Sequence, residues 1–515
     1  MKRIRTMMSA LTLLVAGSVG LVAPAPASAA EAPRSSTGQR WALQITNGVT
    51  GQDYYVAAEL SAELDTTQKG RLRAMTPASS PSAIGSRETF TLHTADNGAT
   101  VSLRNEDNGL YVSTEKNYAT PYTTMLRARA ASIGTSSTAY EKFQLVKDPQ
   151  VAGAYNLKAR ANQQYVSARF SRAVGEGPGM LLAATEAATG SWERVRLVEV
   201  PGTGQYGDTA NPPATANSPA GTVRNVVSWN ACSNHNADCL LSDATVATVG
   251  NTVAARAAAA DADVMFVQEF CEKSAVPLES SLEDRAVGGL ADWDVRFTPT
   301  YRKLTGTGVL AQKQCANSNG ADRGAYGTAV AVPSENTWYR SVVLPSRDTA
   351  EQRPMLCATV PSQGTAYCGG HFSAGLTGDD VEEKPANPHP TGYFRNLQAQ
   401  RAFAEASTLR AQGYEVVFGG DLNATPPDAP QGPGSAPASV LAPLYHQPGA
   451  ADDRFEECDQ QAHGGSRTGA PTHVSPSSSL KLDYVFGPQS ADYACSITTT
   501  TQSDHYLIRA AVSFH

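Results

Sequence analysis

Six short segments carry the polar residue types that hydrolytic enzymes use, and most of these residues directly follow an apolar run. Charged groups at such places are informative, because removing a charge from water at the end of a buried strand is expensive. The segments are VVSWN ending at Asn230, FVQE ending at Glu269, GGH ending at His371, GGDLN with Asp421 and Asn423, KLDYVF with Asp483, and SDH with Asp504 and His505.

Each segment alone is compatible with an ordinary structural role. An isolated glutamate after a strand is more often a solvated strand end, Asp483 could be a cap or an ion-pair partner, and His371 could be a hydrogen-bonded core imidazole. Several carboxylates together with two histidines, however, are what a hard divalent cation and imidazole catalysis require. The combined set therefore favours a metal-assisted hydrolase.

The apolar runs predict the α/β elements that must position these residues. An Ala-rich run, Ala244–Ala260, predicts a helix. Active sites on sheets of this kind form just past the strand ends, which is where the polar residues stand. The predicted strands are Val223–Trp229, Val264–Val267, Tyr414–Phe418, Leu482–Phe486 and Leu507–Phe514.

The composition is that of a globular protein. Of 515 residues, 41% are hydrophobic and 17% are charged, so the chain is too apolar for a disordered protein. At roughly 150 residues per domain, this length predicts two to four domains. The net charge of −7 excludes a basic protein that coats nucleic acid.

The N-terminus has the pattern of a secretory signal peptide, predicted over residues 1–29. Three basic residues, Lys2, Arg3 and Arg5, precede the apolar run 10–22, and Ala27-Ser28-Ala29 supplies the small residues of a cleavage site. The run is shorter than the roughly 18 residues of a membrane span, and a short buried helix is the alternative. We expect a secreted, extracellular protein with no stable membrane span.

Eight cysteines, all after residue 230, predict disulfides in an exported protein. Because the chain has no C-x-x-C pair, the pattern argues against a cysteine zinc site. Connectivity does not follow from sequence, and nearest-neighbour pairing is one option. That option pairs Cys232 with Cys239, Cys271 with Cys315, Cys357 with Cys368 across a predicted hairpin, and Cys458 with Cys495.

Residues 201–221 are rich in Pro, Gly, Ala, Ser and Thr without an apolar period, and predict a linker. The preceding region, 38–200, repeats an all-β pattern. Its closing strands place Phe90, Phe143 and Val195 in register, after aromatic-Val pairs that recur at Tyr55, Tyr111 and Tyr165. This region resembles a β-trefoil, and the sequence motif N-G-x-Y-V-S at 108–113 resembles that of the fascin-like trefoils. The resemblance implies an accessory domain, with a carbohydrate or cell-surface ligand as an option.

The ordered segments of 222–515 resemble the deoxyribonuclease-I-like endonuclease/exonuclease/phosphatase superfamily, with GGDLN and the terminal SDH as the most diagnostic pair. The resemblance implies a four-layer α/β sandwich, in which two mixed sheets pack face to face and helices lie outside. It also implies cleavage of phosphoester bonds with Mg²⁺, or with Mn²⁺ or Ca²⁺ instead. The expected protein is thus multidomain, an all-β trefoil followed by this sandwich.

Carried over by position, the resemblance implies a role for each residue. Glu269 would be the principal metal ligand, with Asn230 beside it and Asp504 as a second acidic ligand. Asp421 and Asn423 would align the attacking water and hold the phosphate. Asp483 would orient His505, and His371 would support the phosphate or protonate the leaving oxygen. Which histidine is the base stays open. The substrate-binding candidates are Asn423, Tyr326, Arg302 and Arg323, although a solvated surface role is an alternative for both arginines.

Three departures from the family pattern bear on the substrate. Cys271 stands where deoxyribonucleases have a DNA-contacting arginine, two positions after the metal glutamate. The family's G-N-A word appears as Gly327-Thr328-Ala329. From Thr222 onward, 20 Lys and Arg stand against 31 Asp and Glu, a net −11, which denies the positive surface expected of a strong DNA binder.

The sequence therefore predicts a secreted phosphodiesterase that hydrolyses nucleic acid, with DNA favoured, by in-line attack of water. A sphingomyelinase-like phospholipid phosphodiesterase is the first alternative. It would use exposed aromatic loop tips, for which Trp338-Tyr339 is the obvious candidate. The second alternative is a trefoil-based binding protein with an inactive hydrolase domain.

Overall fold

The computed structural model describes residues 38–61, 64–171, 177–200, 212–234, 239–316, 321–375, 380, 391–430, 435–476 and 478–515. All of them lie in one compact unit that spans Ser35–His515. The predicted signal peptide, 1–29, and the first half of the predicted linker, 201–211, lie outside the described residues.

The described residues of the N-terminal region form twelve short antiparallel strands. Apolar residues of these strands, among them Leu43, Phe90 and Phe143, share one buried core. The strands are β1 Arg40–Thr46, β2 Asp53–Glu59, β3 Arg71–Pro77, β4 Thr89–Thr94, β5 Ser102–Asn105, β6 Tyr111–Glu115, β7 Met125–Ala130, β8 Phe143–Lys147, β9 Ala154–Ala159, β10 Tyr165–Arg169, β11 Met180–Thr185 and β12 Arg194–Val200.

One local irregularity occurs three times in this region. The strand register shifts between Tyr55 and Val56, between Tyr111 and Val112, and between Tyr165 and Val166. A bulge places one extra residue in a strand and increases its twist, so three equivalent bulges give the three hairpins β2–β3, β6–β7 and β10–β11 the same local geometry. The repeat of aromatic-Val pairs in the sequence therefore corresponds to a repeat in backbone structure.

The described residues of the C-terminal region form two six-stranded mixed sheets, one two-stranded sheet and four α-helices. The helices are α1 Val246–Ala259, α2 Ala275–Asp284, α3 Tyr393–Ala411 and α4 Cys458–Ala462. The strands are β13 Val223–Asn230, β14 Val264–Cys271, β15 Trp293–Pro299, β16 Tyr301–Lys303, β17 Leu310–Lys313, β18 Tyr326–Pro333, β19 Trp338–Val343, β20 Pro354–Val360, β21 Thr365–His371, β22 Glu415–Asp421, β23 Glu456–Glu457, β24 His473–Ser475, β25 Ser478–Leu480, β26 Asp483–Gly487, β27 Asp492–Thr498 and β28 Leu507–Ser513.

The first sheet has the strand order β15-β18-β14-β13-β28-β27, and the second has the order β19-β20-β21-β22-β26-β23. Consecutive residues of a strand point to opposite faces, so the apolar run of β14 serves two cores. Phe266 packs in a cluster with Leu356 and Val417 of the second sheet. Met265 and Val267 pack with α1 and α2. Helix α3 packs on the second sheet through Ala399, Ala402 and other small residues.

A hairpin of the C-terminal region joins the N-terminal sheet. Strand β16 pairs with β17, and β17 runs parallel to β4, with Gln312 opposite His93 and Lys313 opposite Thr94. Leu304 and Ala311, from this hairpin, are buried in the core of the N-terminal region. The two regions therefore share one sheet, which the prediction of an accessory domain behind a linker did not anticipate.

The described half of the predicted linker, 212–221, contains no helix or strand, but it is bound to the C-terminal region. Thr215 donates from its backbone N–H to Gln412 O at 2.9 Å and from its hydroxyl to Pro361 O at 3.0 Å. The Gly221 N–H donates to Phe514 O at 2.8 Å. These residues follow the surface of the second region instead of hanging free.

All four nearest-neighbour disulfides are present: Cys232–Cys239, Cys271–Cys315, Cys357–Cys368 and Cys458–Cys495. Cys357 and Cys368 face each other across the β20–β21 hairpin, as the sequence suggested. Among the described residues, no helix combines the length and hydrophobicity that crossing a bilayer would need.

Candidate active site

Three of the predicted residues stand side by side at one edge of the second sheet. His371 ends β21, Asp421 ends β22 and Asp483 begins β26. His371 is the register partner of Asp421, which is in turn the register partner of Asp483. Strands β21 and β22 are parallel, so their carboxyl ends coincide, whereas β26 runs antiparallel and contributes its first residue to the same edge. Strand pairing thus brings together residues far apart in sequence.

Asn230 ends β13 of the first sheet, and His505 lies in the segment between β27 and β28 of that sheet. The Asn230 side-chain amide donates to Asp421 Oδ2 at 3.0 Å and so joins the two sheets at the site. The indole N–H of Trp229 donates to His505 O at 3.2 Å, and the Ser503 hydroxyl donates to Asn230 O at 2.8 Å. These bonds hold the loop that carries His505 against the end of β13.

Asp421 is the centre of the cluster, and its carboxylate is almost fully buried. Its Oδ2 lies 3.3 Å from His371 Nε2 and 3.7 Å from His505 Nε2. Its Oδ1 accepts the Asn423 N–H at 2.9 Å. Burial by itself would raise the pKa of Asp421, but the two imidazoles and the backbone N–H lower it below its usual value. Asp421 is therefore ionised at neutral pH.

Asp483 and His505 form a buried pair. Asp483 Oδ2 lies 2.8 Å from His505 Nδ1, and the Asp483 N–H donates to the Thr472 hydroxyl at 2.9 Å. Burial raises the pKa of Asp483, although the neighbouring His505 acts to lower it. Burial also opposes protonation of His505, but the Asp483 and Asp421 carboxylates outweigh it and raise the pKa of His505 to about 10. The pair thus retains a proton at neutral pH, with Nε2 facing Asp421.

Asn423 contacts His371 at the other side of the cluster. Its Nδ2 lies 3.1 Å from His371 Nε2 and donates to Phe372 O at 3.1 Å. The guanidinium of Arg395 donates to Asn423 O, and it also pairs with Asp380 at 2.7 Å. The amide is therefore fixed toward the imidazole.

Unusual backbone geometry marks the strand ends of the site. Glu269, Asn423 and Cys232 have φ values of 50°, 49° and 47°, which non-glycine residues adopt rarely and mainly where the surroundings enforce them. Gly420, directly before Asp421, has φ 139°, and a Cβ there would lie 1.9 Å from Gly370 O. The second glycine of GGDLN is thus needed for the close approach of β22 to β21.

Glu269 lies in a bulge of β14, where the register with β18 shifts between Val267 and Phe270. Its backbone oxygen accepts the Ser233 N–H and hydroxyl at 3.0 and 2.7 Å. Within the described part of the chain, its half-buried carboxylate receives no hydrogen bond and no ion pair. The carboxylate acts electrostatically on Tyr326 and Arg353, as Asp421 does, so the two acids share a neighbourhood.

The described residues include acidic and histidine groups that could hold a metal ion. Asp421, Asp483 and His505 form one such cluster, and His473, Asp504 and His505 form another. A third contains Cys232 and Cys239, whose disulfide removes both thiolates. Glu269 belongs to none of these clusters. A half-buried carboxylate that lacks a protein partner still fits the oxygen chemistry of Mg²⁺, which keeps several water ligands.

Asp504 directly precedes His505 and lies close to His473. Its Oδ2 lies 3.8 Å from His473 Nε2, and the His473 and His505 rings are 4.7 Å apart. Burial would raise the pKa of Asp504, but His473 and His505 lower it. Asn230, the third predicted ligand, turns its Oδ1 to the Cys232 N–H at 2.9 Å and lies next to Asp421. The metal roles of Glu269, Asn230 and Asp504 stay predictions.

The predicted substrate contacts lie in different surroundings. Tyr326 is buried at the start of β18, with Lys313 Nζ 4.1 Å from its ring centroid. Arg302 pairs with Glu351 at 3.4 Å. Arg323 is 1% exposed and donates to Ser242 O at 2.6 Å, so its guanidinium holds the loop before α1. The solvated surface role that was the alternative is thus wrong for Arg323, whereas Arg302 is half-buried and its role stays a prediction.

Two residues near the site were missed from the sequence. Arg353 is buried, pairs with Glu351 at 2.9 Å, and leaves its Nη1 without a hydrogen-bond partner. Burial would lower the pKa of Arg353, but Glu351, Tyr326, Glu269 and Asp421 raise it. His473 is the second. The pairing of β24 with His505 reveals it, whereas the sequence shows only a lone histidine in a Ser/Pro-rich stretch.

The profile of the Endonuclease/Exonuclease/phosphatase family matches residues 227–505, more than half of the chain. The chain therefore belongs to this family, whose members are hydrolytic phosphoesterases that act on phosphodiester or phosphate bonds and typically use a divalent metal. The match begins within β13 and ends at His505, and so includes every residue of the site described above.

Solved structures similar to the chain include two TDP2 proteins and ANGEL2. TDP2 from C. elegans is 15% identical, with 57% of this chain and 76% of that chain covered and a TM-score of 0.36. D. rerio TDP2 complexed with a single-strand DNA product is 14% identical over 56% and 99%, with a TM-score of 0.35. ANGEL2, a 2',3'-cyclic phosphatase, is 13% identical over 56% and 95%, with a TM-score of 0.36. No curated protein matches the chain.

Proposed function

We propose that the protein is a secreted, divalent-metal-dependent phosphodiesterase that hydrolyses nucleic acid, with DNA as the favoured substrate. The observation that carries this proposal is the position of Asp421, whose buried carboxylate lies between the imidazoles of His371 and His505 at 3.3 and 3.7 Å. An ionised carboxylate flanked by two imidazole rings can orient a water molecule, while the rings can donate hydrogen bonds to a phosphate at the same place.

In the proposed reaction, a water oriented by Asp421 attacks phosphorus in line with the leaving oxygen. A new P–O bond forms while Asp421 accepts a proton from the attacking water, the bond to the leaving oxygen breaks, and that oxygen takes a proton from one of the two imidazoles. His505 is held protonated by Asp483, so its Nε2 side suits charge stabilisation and proton donation. His371 and Asn423, in contact at 3.1 Å, are placed to hold a non-bridging oxygen. Which imidazole protonates the leaving group stays open.

A buried arginine near Asp421, Arg353, also supports this assignment. Its buried guanidinium has an unpartnered Nη1 and lies in the field of Glu269 and Asp421. Guanidinium groups bind phosphate oxygens well because their donors form a rigid fork. In the proposal, Glu269 with Asn230 holds the metal ion, which when bound stabilises negative charge on the phosphate. Asp504 is the second acidic ligand, and Mg²⁺ is the first choice of ion over Mn²⁺ or Ca²⁺.

The structure weakens the argument for a lipid substrate. Trp338 and Tyr339, the candidate membrane contact, lie in β19 and not at a loop tip, and Tyr339 is 1% exposed. No exposed aromatic pair is thus left at that place to enter a lipid surface. The acidic balance of the C-terminal region gives no positive argument for DNA, so the preference for DNA rests on the family chemistry.

We also propose the architecture of the two regions and a secreted location for the protein. Three equivalent bulges and three hairpins support a fascin-like β-trefoil over 38–200, which would bind a carbohydrate or cell-surface ligand. Two sheets with a shared apolar interface and helices on their outer faces support the four-layer sandwich over 222–515. Four disulfides support secretion, because such bonds persist in oxidising compartments.

The test is a substrate panel with matched inactive controls. The full chain, freed of residues 1–29, is incubated with Mg²⁺ and supercoiled plasmid, RNA, sphingomyelin or a chromogenic phosphodiester. We expect plasmid cleavage that EDTA and His371→Ala both abolish. Cleavage of sphingomyelin with intact plasmid would replace the nuclease proposal by the lipid alternative. Inactivity on every diester, with carbohydrate binding retained, would favour a binding protein with an inactive hydrolase domain.

A further inference from the structure

Two contacts at the junction of the regions lead directly to the active-site strand ends. The first starts at Arg104 in β5 of the N-terminal region. Its Nη1 donates to both carboxylate oxygens of Glu272, at 3.3 and 3.4 Å, and its Nε donates to Gly109 O at 3.0 Å. Glu272 is 7% exposed, and it follows Glu269 by three residues.

Glu272 in turn holds the strand opposite the Glu269 bulge. Its Oε2 accepts the Ala325 N–H at 3.0 Å, and its own N–H donates to Ala325 O at 2.8 Å. The neighbouring Cys271 is bonded to Cys315 and is the register partner of Tyr326. The backbone that leaves Glu269 is therefore fixed on one side by β18 and on the other by a cation of the N-terminal region.

The second contact runs through the shared hairpin. Gln314, directly after β17, donates to the buried Tyr111 hydroxyl at 2.5 Å. Lys313 of β17 pairs with Glu351, which also pairs with Arg353 at 2.9 Å. The two contacts end at different places, since the first reaches the Glu269 bulge and the second reaches Arg353. The N-terminal region therefore contacts residues that support Glu269 and residues that support Arg353.

We propose that the N-terminal β-region is a structural part of the active site, and that Arg104 is a positioning residue that acts through Glu272 on Glu269. This inference rests on the proposed function, because it assigns metal binding to Glu269. The left-handed backbone of Glu269, at φ 50°, needs such support, since non-glycine residues keep this conformation only where their surroundings enforce it. Groups that orient a metal ligand typically matter about 10–100-fold for metal affinity.

The test measures Mn²⁺ binding to the full chain by isothermal titration calorimetry. We expect Arg104→Gln to weaken Mn²⁺ binding about tenfold and Arg104→Lys, which keeps the cation, to weaken it less. The matched control is Arg194→Gln. Arg194 pairs with Asp148, which also lies within the N-terminal region, at 3.0 Å. The Arg194 side chain is 21% exposed, against 19% for the Arg104 side chain. This control should leave Mn²⁺ affinity unchanged.

A double-mutant cycle separates positioning from general destabilisation. Glu272→Gln should also weaken Mn²⁺ binding, and the Arg104→Gln/Glu272→Gln double variant should lose less than the sum, because both act through one ion pair. Wild-type affinity in Arg104→Gln, or simple additivity, would overturn the inference and leave the proposed function intact. A wild-type chain that neither binds Mn²⁺ nor cleaves any diester would overturn both.

Discussion

Two of the buried histidines among the described residues, His93 in the N-terminal region and His505 in the C-terminal region, have pKa values that move in opposite directions. His93 of β4 has a pKa well below its usual value, because burial removes the charged form from water and Arg104 and Lys273 add repulsion. His505 is also opposed by burial, yet Asp483 and Asp421 raise its pKa to about 10. Burial alone therefore gives a neutral, structural imidazole, and a charged one requires carboxylates beside it.

The same contrast holds for strand ends. The hydrophobic core of the N-terminal region is almost entirely Leu, Val, Phe and Ala, and Glu115, the buried carboxylate at the end of β6, is paired with Arg129. In the second sheet, β21 and β22 end on His371 and Asp421, both at most 3% exposed. Burying these groups costs stability, which is reasonable only where they act together on a ligand. The contrast locates the chemistry in the C-terminal region.

The largest effect should come from Asp421→Asn. The change keeps the side-chain shape but removes the negative charge that faces both imidazoles. We expect phosphodiesterase activity to fall about 10³-fold, within the range seen when an acid–base group is lost. Steady-state kinetics on the best diester of the panel measure it, with Asp453→Asn, outside the site, as the control. Activity within tenfold of wild type would place the chemistry elsewhere.

The second largest effect should come from Asp483→Asn, with a loss of phosphodiesterase activity of about 10²-fold. Without the Asp483 charge, the pKa of His505 falls from about 10 toward its usual value. The protonated form is present below the pKa and lost above it, so the alkaline limb of the pH–rate profile should move to lower pH. An unmoved limb in Asp483→Asn would show that His505 does not govern it.

A smaller effect concerns stability against pH. His505 has a raised pKa in the folded chain, so its stabilising contribution is complete below the unfolded value of about 6.5 and disappears as pH rises to about 10. Urea unfolding between these pH values should show a decline in the wild type that is weaker in His505→Gln. Equal slopes for both proteins would contradict the raised pKa.

The smallest effect belongs to His93→Phe. Phe keeps the ring that packs edge-on against Tyr111 at 5.4 Å between centroids, and it removes only the contact with the Thr91 hydroxyl. We expect less than about twofold change in activity and a loss of about 1 kcal/mol in the free energy of unfolding. A large activity loss would mean that the neutral histidine is not merely structural.

The sequence singled out most residues of the candidate site because they lie at the end of an apolar run, whereas Asp504 and His505 follow a Thr-rich stretch. Even the errors in element bounds were small: α1 begins at Val246 instead of Ala244, because the Thr245 hydroxyl accepts the Thr248 N–H as its cap. Strand β14 extends to Cys271, beyond the predicted Val267, because the Glu269 bulge lets pairing resume at Phe270.

What the sequence could not supply is pairing between distant segments. Arg353 precedes a proline in EQRP, a stretch without periodicity, and only the fold brings it near Asp421. The β17–β4 pairing joins residues more than two hundred positions apart, and local patterns specify a strand without its partner. For the same reason, no sequence pattern indicated Arg104 as a neighbour of Glu272.

The most direct measurement is a crystal structure of the Asp421→Asn chain with Mn²⁺ and an uncleaved phosphorothioate dinucleotide. We expect an anomalous Mn²⁺ peak at the Glu269 carboxylate and a phosphorus atom whose oxygens contact His371, His505 and Asn423. A phosphorus atom bound elsewhere, with these side chains still bonded only to one another, would contradict this expectation.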